Sequence, residues 1–179
     1  MYYLGKSAGL AAGIIVGLVI CVILFKFMNK DKDLKTKYDE RQQSVRGRAY
    51  KYGFWGFMAG TGFIMCLDAG GIEIASRSVT LFFIMFIGLV IQVCYSIWND
   101  GYYGINTNKK RFYGVSLVAS LINLLVVVAA VREGSFFENG LISDRGINLL
   151  CVILFLIIGV ELIIKDCLDK KENLRESGE

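Results

Sequence analysis

An all-α fold, a polytopic transmembrane helical bundle of about five spans, is what this sequence predicts. Three observations predict it. The 179 residues are 55% hydrophobic, against roughly 45–50% in a soluble domain. The apolar residues gather into five blocks, each close to the ~20 residues that cross a ~30 Å hydrocarbon core. The 20 Lys and Arg residues sit beside these blocks, where bases set membrane topology and touch anionic lipid. A single membrane domain, residues 1–179, accounts for the whole length.

The first span covers about residues 7–28. Only Lys6 precedes it, and Lys26 and Lys30 follow it without a small-residue cleavage site. Its length also exceeds the 7–15 apolar residues of a signal peptide, so it reads as an uncleaved helix with its N-terminus outside. Gly5, Gly9, Gly13 and Gly17 recur every four residues. That spacing sets them near one face and predicts a tight helix–helix seam, within the chain or between copies.

Residues 29–52 form a cytoplasmic linker with eight bases. Its first half, NKDKDLKTK, alternates sign, has no apolar face and reads as a solvated connection. Its second half reads as helix. Asp39 and Glu40 then lie in the first turn, at the positive end of the helix dipole. Arg46, Arg48 and Lys51 lie at headgroup level, and Tyr50, Tyr52, Phe54 and Trp55 form an interfacial aromatic belt.

The second span, about 51–69, carries a G-x-x-x-G at Gly56 and Gly60, with Asp68 at its outer end. The third, about 79–98, contains Gln92 and ends on Tyr95 and Trp98. A loop with Asn/Asp/Gly turn chemistry follows. The fourth, about 112–131, places Ser116, Ser120 and Asn123 on one face. A loop of mixed charge leads to the fifth, about 147–164, with Glu161 in its last turn. The charged tail, 165–179, is expected to be solvated and frayed.

With five spans and the N-terminus outside, sixteen of the 20 bases lie on the inner side, and only Lys6, Arg77, Arg132 and Arg145 lie outside. The positive-inside rule therefore selects an N-out, C-in orientation.

The chain has no His, and its five Cys form no C-x-x-C pair. A His-based metal site, a Ser–His arrangement and a Cys-based redox motif are therefore not indicated. Asp68 and Glu161 fall on opposite sides of the membrane and cannot act as a pair. No phosphate-binding loop or dinucleotide fingerprint occurs. No catalytic residue, cofactor or metal is expected. Nucleic acid is not an expected partner, because the bases lie at the membrane surface among acids. The candidate polar path is Gln92, Ser120 and Asn123. These residues suit either interhelical hydrogen bonds or a route for a small solute.

The stretch YDERQQSVRGRAYKYGFW resembles the D-E-R-Q…R-G-K-A-Y-K-Y signature of small multi-pass membrane proteins of Gram-positive bacteria, a group with no assigned activity. The matching positions are Asp39, Glu40, Arg41, Gln42, Arg46, Gly47, Ala49, Tyr50, Lys51 and Tyr52, with Arg48 where the signature has Lys. The resemblance implies a family and a host type and carries over no catalytic site.

The sequence thus predicts a membrane protein with an interaction, regulatory or accessory role. The expected surface is Asp39, Glu40, Arg41, Gln42, Arg46, Arg48 and Lys51, with the first three binding a partner or clasping another inner loop. The expected partners are anionic lipid, a second copy, or a membrane or cytoplasmic protein. The alternatives are a small-molecule transporter or channel subunit, and an immunity protein against a membrane-active peptide.

Overall fold

A computed structural model describes the backbone of residues 2–176 and the side chains of residues 12–175. Its helices are α1 (Tyr2–Met28), α2 (Glu40–Ala69), α3 (Arg77–Trp98), α4 (Lys109–Arg132) and α5 (Gly146–Glu176). Between α4 and α5 lies a hairpin of β1 (Phe137–Glu138) and β2 (Leu141–Ile142). Helix α2 packs on α3, α3 on α5 and α5 on α4, and among the described residues α1 lies against α4.

Local chemistry sets the helix starts. Asp39 caps α2 in a capping box: its carboxylate accepts from the Gln42 amide, and the Gln42 side chain accepts from the Asp39 amide. Ser76 caps α3 by accepting from Val79, and Asn108 caps α4 by accepting from Arg111.

Three helices are long and apolar enough to cross a membrane among the described residues: Arg77–Trp98, Lys109–Arg132 and Gly146–Arg175. Helix α2 falls short of that composition. Its first turns hold Glu40, Arg41, Arg46, Arg48 and Lys51, and Asp68 and several glycines dilute the rest. The described part of α1, Ala12–Met28, is apolar but shorter. Apolar side chains cover the outside of the bundle. On α4, Leu117 and Leu125 are 62% and 68% exposed, a surface suited to lipid.

The helical second half expected within residues 29–52 starts at Glu40, behind the Asp39 capping box. One expected boundary moves. The tail expected to be frayed from residue 165 continues α5 to Glu176, so Glu161 lies well inside that helix. Lys165, Asp166 and Asp169 each make an ion pair in this added stretch of helix. The hairpin is a further difference. Its two-residue turn, Asn139–Gly140, has positive φ at both positions (51° and 81°), as a type I′ turn requires.

The loops gather at two ends. At the hairpin end, β2 pairs with residues 74–76: the Ile142 amide donates to Ile74 O at 3.1 Å and the Ser76 amide to Ile142 O at 2.7 Å. At the linker end, residues 29–38 meet the α3–α4 loop, which in turn meets Lys165 of α5 through Asp100. A compact core of Val93, Ile97, Ile158 and Leu162, with Tyr102, Tyr103, Phe112 and Tyr113 packed on it, lies beneath that end.

The contact between α2 and α3 is built on absent side chains. Gly53, Gly56 and Gly60 of α2 and Gly88 of α3 are buried. A Cβ at Gly88 would lie 2.8 Å from Gly53 O, and one at Gly53 would lie 2.9 Å from Gly88 O. Backbone therefore meets backbone, the approach that small residues permit.

Candidate functional site

The linker-end head is assembled around Asn106, which is 8% exposed. Its side-chain amide donates to both Asp31 oxygens (3.0 and 3.2 Å) and to Lys35 O (3.1 Å). Its carbonyl accepts from the Lys37 amide at 2.9 Å. The Lys30 amide donates to Asn106 O at 2.7 Å, and the Ile105 amide to Lys37 O at 2.8 Å. One polar side chain thus fixes the course of a linker that has no apolar face of its own. Asn29, 2% exposed, donates to Asp33 O at 2.8 Å and completes the turn.

The Lys37 ammonium, 2.8 Å from Asp31, and then the Asn106 amide hold the Asp31 carboxyl below its ordinary 3.8, at about 2. A carboxylate with a depressed folded-state pKa adds stability above its ordinary value, and that stability is lost as pH falls through the lower one. Pepsin cleavage near Leu34, which is 49% exposed, is therefore expected to accelerate between about pH 4 and pH 2. In Asp31→Asn it is expected to be fast throughout that range. Equal rates in the two proteins at pH 4 would count against this role for Asp31.

The α3–α4 loop is pressed against the start of α2. A Cβ at Gly101 would lie 2.5 Å from Val45 Cγ1, and one at Gly104 would overlap Thr36 and meet Lys37 O at 2.6 Å. Gln42 spans the contact. Its Nε2 donates to Tyr103 O at 3.0 Å and to Asp100 O at 3.3 Å. Gln42, Val45, Ala49, Gly53, Gly56 and Gly60 recur at three- and four-residue spacings, so one stripe of α2 runs from the loop clasp into the α3 seam.

Charged pairs surround the clasp. Asp100 accepts from Arg41 at 3.4 Å and lies 3.3 Å from Lys165, which also reaches Asp169 at 2.9 Å. Asp169 first, then Asp100, raise the pKa of the Lys165 ammonium. Lys109 lies 3.3 Å from Asp166, which also accepts from the Tyr113 hydroxyl at 3.0 Å. Trp98 Nε1 donates to Glu161 at 2.6 Å. The Arg41–Asp100 pair is solvent-exposed and contributes little by itself. The network matters because it joins four segments.

The sequence-predicted residues separate accordingly. Gln42 faces the α3–α4 loop, while Asp39 caps α2 and Arg41 reaches Asp100 from exposed positions. Arg46 lies 4.0 Å over the Tyr38 ring and donates to the Tyr50 hydroxyl at 3.1 Å. Glu40, Arg48 and Lys51 are exposed, without a partner among the described residues. Gly56 and Gly60 lie in the α2–α3 seam. Gly13 and Gly17 have nothing within 4 Å of an added Cβ, so none of the described residues covers them, and the surroundings of Gly5 and Gly9 lie outside the described residues. The three polar-path residues do not converge on a described cavity. Gln92 borders Gly53 in the α2–α3 seam, Asn123 donates to Ala119 O at 2.8 Å within α4, and Ser120 is half-buried on α4.

Sequence reasoning overlooked Asn106, Gly101 and Gly104. Their only signal was a turn-rich loop, which marks a bend but not what docks on it. It also overlooked a cleft of about 510 Å³ in the head, lined in part by Lys30, Lys109, Lys110, Tyr103 and Asp166. In its wall the buried Tyr103 hydroxyl has no partner in hydrogen-bond geometry. The Tyr113 hydroxyl is near enough to add to the raised pKa that burial of Tyr103 causes. No protein-family model, curated protein or solved structure matches the chain.

Proposed function

We propose that this is a five-span protein of a bacterial cytoplasmic membrane, N-terminus outside and linker end in the cytoplasm, acting without catalysis as an interaction or accessory component. Two features support the topology. Antiparallel helices bring the linker, residues 109–111 and the end of α5 to one end, so the bases concentrate there. The hairpin end carries Arg77, Arg132 and Arg145.

The observation that carries the interaction role is the two-sidedness of the first three turns of α2. At 100° per residue, Gln42, Val45 and Ala49 share the locked face, while Glu40, Ser44, Arg48 and Lys51 share the opposite one. The locked face holds the helix rigid. The outer face presents both charge signs on a preorganised element, which limits the entropy cost of binding.

Photo-crosslinkers placed at Ser44 and Arg48 in living cells test this reading. A discrete adduct, either a second copy or another protein, is expected, and Glu40→Lys should abolish it at a cost of only about 1 kcal/mol in stability, the cost of a base at the positive end of the helix dipole. Crosslinks to lipid alone at both positions would refute the role.

A further inference from the structure

We propose that residues 72–76 at the hairpin end, with the cleft beside them, form a docking edge for a short extended peptide that is apolar and carries Lys or Arg. This inference depends neither on the outer face of α2 nor on the orientation of the chain. It rests on an unused strand edge, an apolar cleft along it and the charges at that cleft.

The edge follows from the backbone groups that β2 takes. Ala75 bridges Ile142 in parallel, and β2 already pairs with β1 on its other side. Residues 74–76 are thus the outer strand of a small sheet. The bonds to Ile142 use Ile74 O and the Ser76 amide. In a planar trans peptide the C=O and the N–H point in opposite directions. The Ala75 amide and carbonyl therefore point away from β2. Neither has a partner among the described residues, and the same holds for the amide and carbonyl of Glu73. A residue of an antiparallel strand laid opposite Ala75 would exchange both N–H···O bonds with it.

The cleft supplies what so short an edge lacks. Its volume is about 530 Å³, within the roughly 300–1,000 Å³ of ligand sites. One side is segment 72–77 itself, and the apolar remainder is Ile64 and Leu67 of α2, Leu81 and Ile84 of α3, and Leu141 of β2. Main-chain bonds along an edge, with pockets for alternate side chains, are how extended peptides are recognised. Exposed edges are ordinarily guarded by Lys, Pro or a covering element. Here Ile72 and Ile74 are 53% and 58% exposed, and the charge between them is an acid, Glu73.

That acid and its neighbour decide the occupant. Asp68 and Glu73 line the cleft without an ion-pair partner among the described residues. Asp144, also at this end, accepts from Ser76 Oγ at 2.6 Å. Arg77 alone opposes the two free carboxylates. The cleft therefore attracts a basic segment. It disfavours the same edge of a second copy, which brings the same excess of acid.

Fluorescence anisotropy with the full chain in a non-ionic detergent tests the site. The probe is a capped, dye-labelled peptide, Lys-Val-Thr-Val-Lys-Val. Saturable one-to-one binding is expected. Asp68→Asn/Glu73→Gln should weaken it about tenfold. Glu133→Gln/Glu138→Gln, which removes the same charge elsewhere at the hairpin end, should leave it unchanged. Ala75→Pro removes an amide that no internal bond uses, so it should weaken binding about tenfold without shifting unfolding in SDS. Peptide N-methylation reads the binding mode with the protein untouched, and so holds even if that variant is unstable. A strand presents successive groups to opposite sides, so methylating the amides of one edge should abolish binding and methylating those of the other should preserve it. Absence of saturable binding overturns the proposal. So does equal binding of the two methylated peptides, which is attraction without strand pairing. Loss of a dimer in Ala75→Pro would assign the edge to a second copy and overturn it as well.

Discussion

Asn106→Leu is expected to release the linker from the head and to cost about 2–3 kcal/mol of stability. The substitution keeps the volume but removes all four hydrogen bonds of the side chain. The Lys37 amide and the Lys35 carbonyl then face a buried apolar group, and each unsatisfied backbone group costs about 1–3 kcal/mol. The lower part of that range applies because the linker can partly peel away into water. Two readouts should move together: unfolding in mixed detergent–SDS micelles at a lower SDS fraction, and faster proteolysis at Leu34. An unchanged transition would mean that the linker is held by its flanking helices and not by Asn106.

The second large effect belongs to the α2–α3 seam, where the glycines should rank in a definite order. Gly88→Ala places a methyl group 2.8 Å from Gly53 O and 3.2 Å from Phe57 Cβ. Backbone cannot rotate away, so the helices must separate. Overpacking of this kind costs about 1–3 kcal/mol. The better helix propensity of alanine returns up to about 1 kcal/mol, leaving a net loss of about 1–2 kcal/mol. Gly53→Ala should behave alike, with 2.9 Å to Gly88 O. Gly56→Ala should be milder, because it meets only the Cδ1 end of Ile91 at close range, and that side chain can change rotamer. Gly62→Ala meets nothing within 4 Å and should be neutral or slightly stabilising. The same SDS titration ranks all four. A loss at Gly62 equal to that at Gly88 would contradict the seam.

The all-α architecture was legible because apolar blocks, basic flanks and caps are local signals. Asp39 was recognisable near a helix start, since its preference for that position is intrinsic. Its role was less accessible. The acids beside Arg41 suggest a partner when read alone. In the fold Asp39 is satisfied by Gln42, and Arg41 by Asp100, some sixty residues away. Pairing over such a separation leaves no trace in local pattern. Gly56 and Gly60 stand out as a G-x-x-x-G, whereas Gly88 is a lone glycine in a span and becomes meaningful only when Gly53 lies against it. The hairpin was legible and overlooked: Asn139–Gly140 between apolar residues is a strong turn signal. The mixed charge of that loop drew the reading away from it. The head cleft could not be foreseen, since it combines the chain just after α1, the start of α4 and the end of α5.

Orientation underlies the proposed contact face, and labelling of single cysteines tests it most directly. In a background with Cys21, Cys66, Cys94, Cys151 and Cys167 replaced, Glu138→Cys marks the hairpin end and Lys170→Cys the linker end. A membrane-impermeant maleimide added to intact cells should label position 138 and leave position 170 untouched until the membrane is opened. Labelling of position 170 in intact cells, with 138 protected, would place the head outside and contradict the topology on which the account is built.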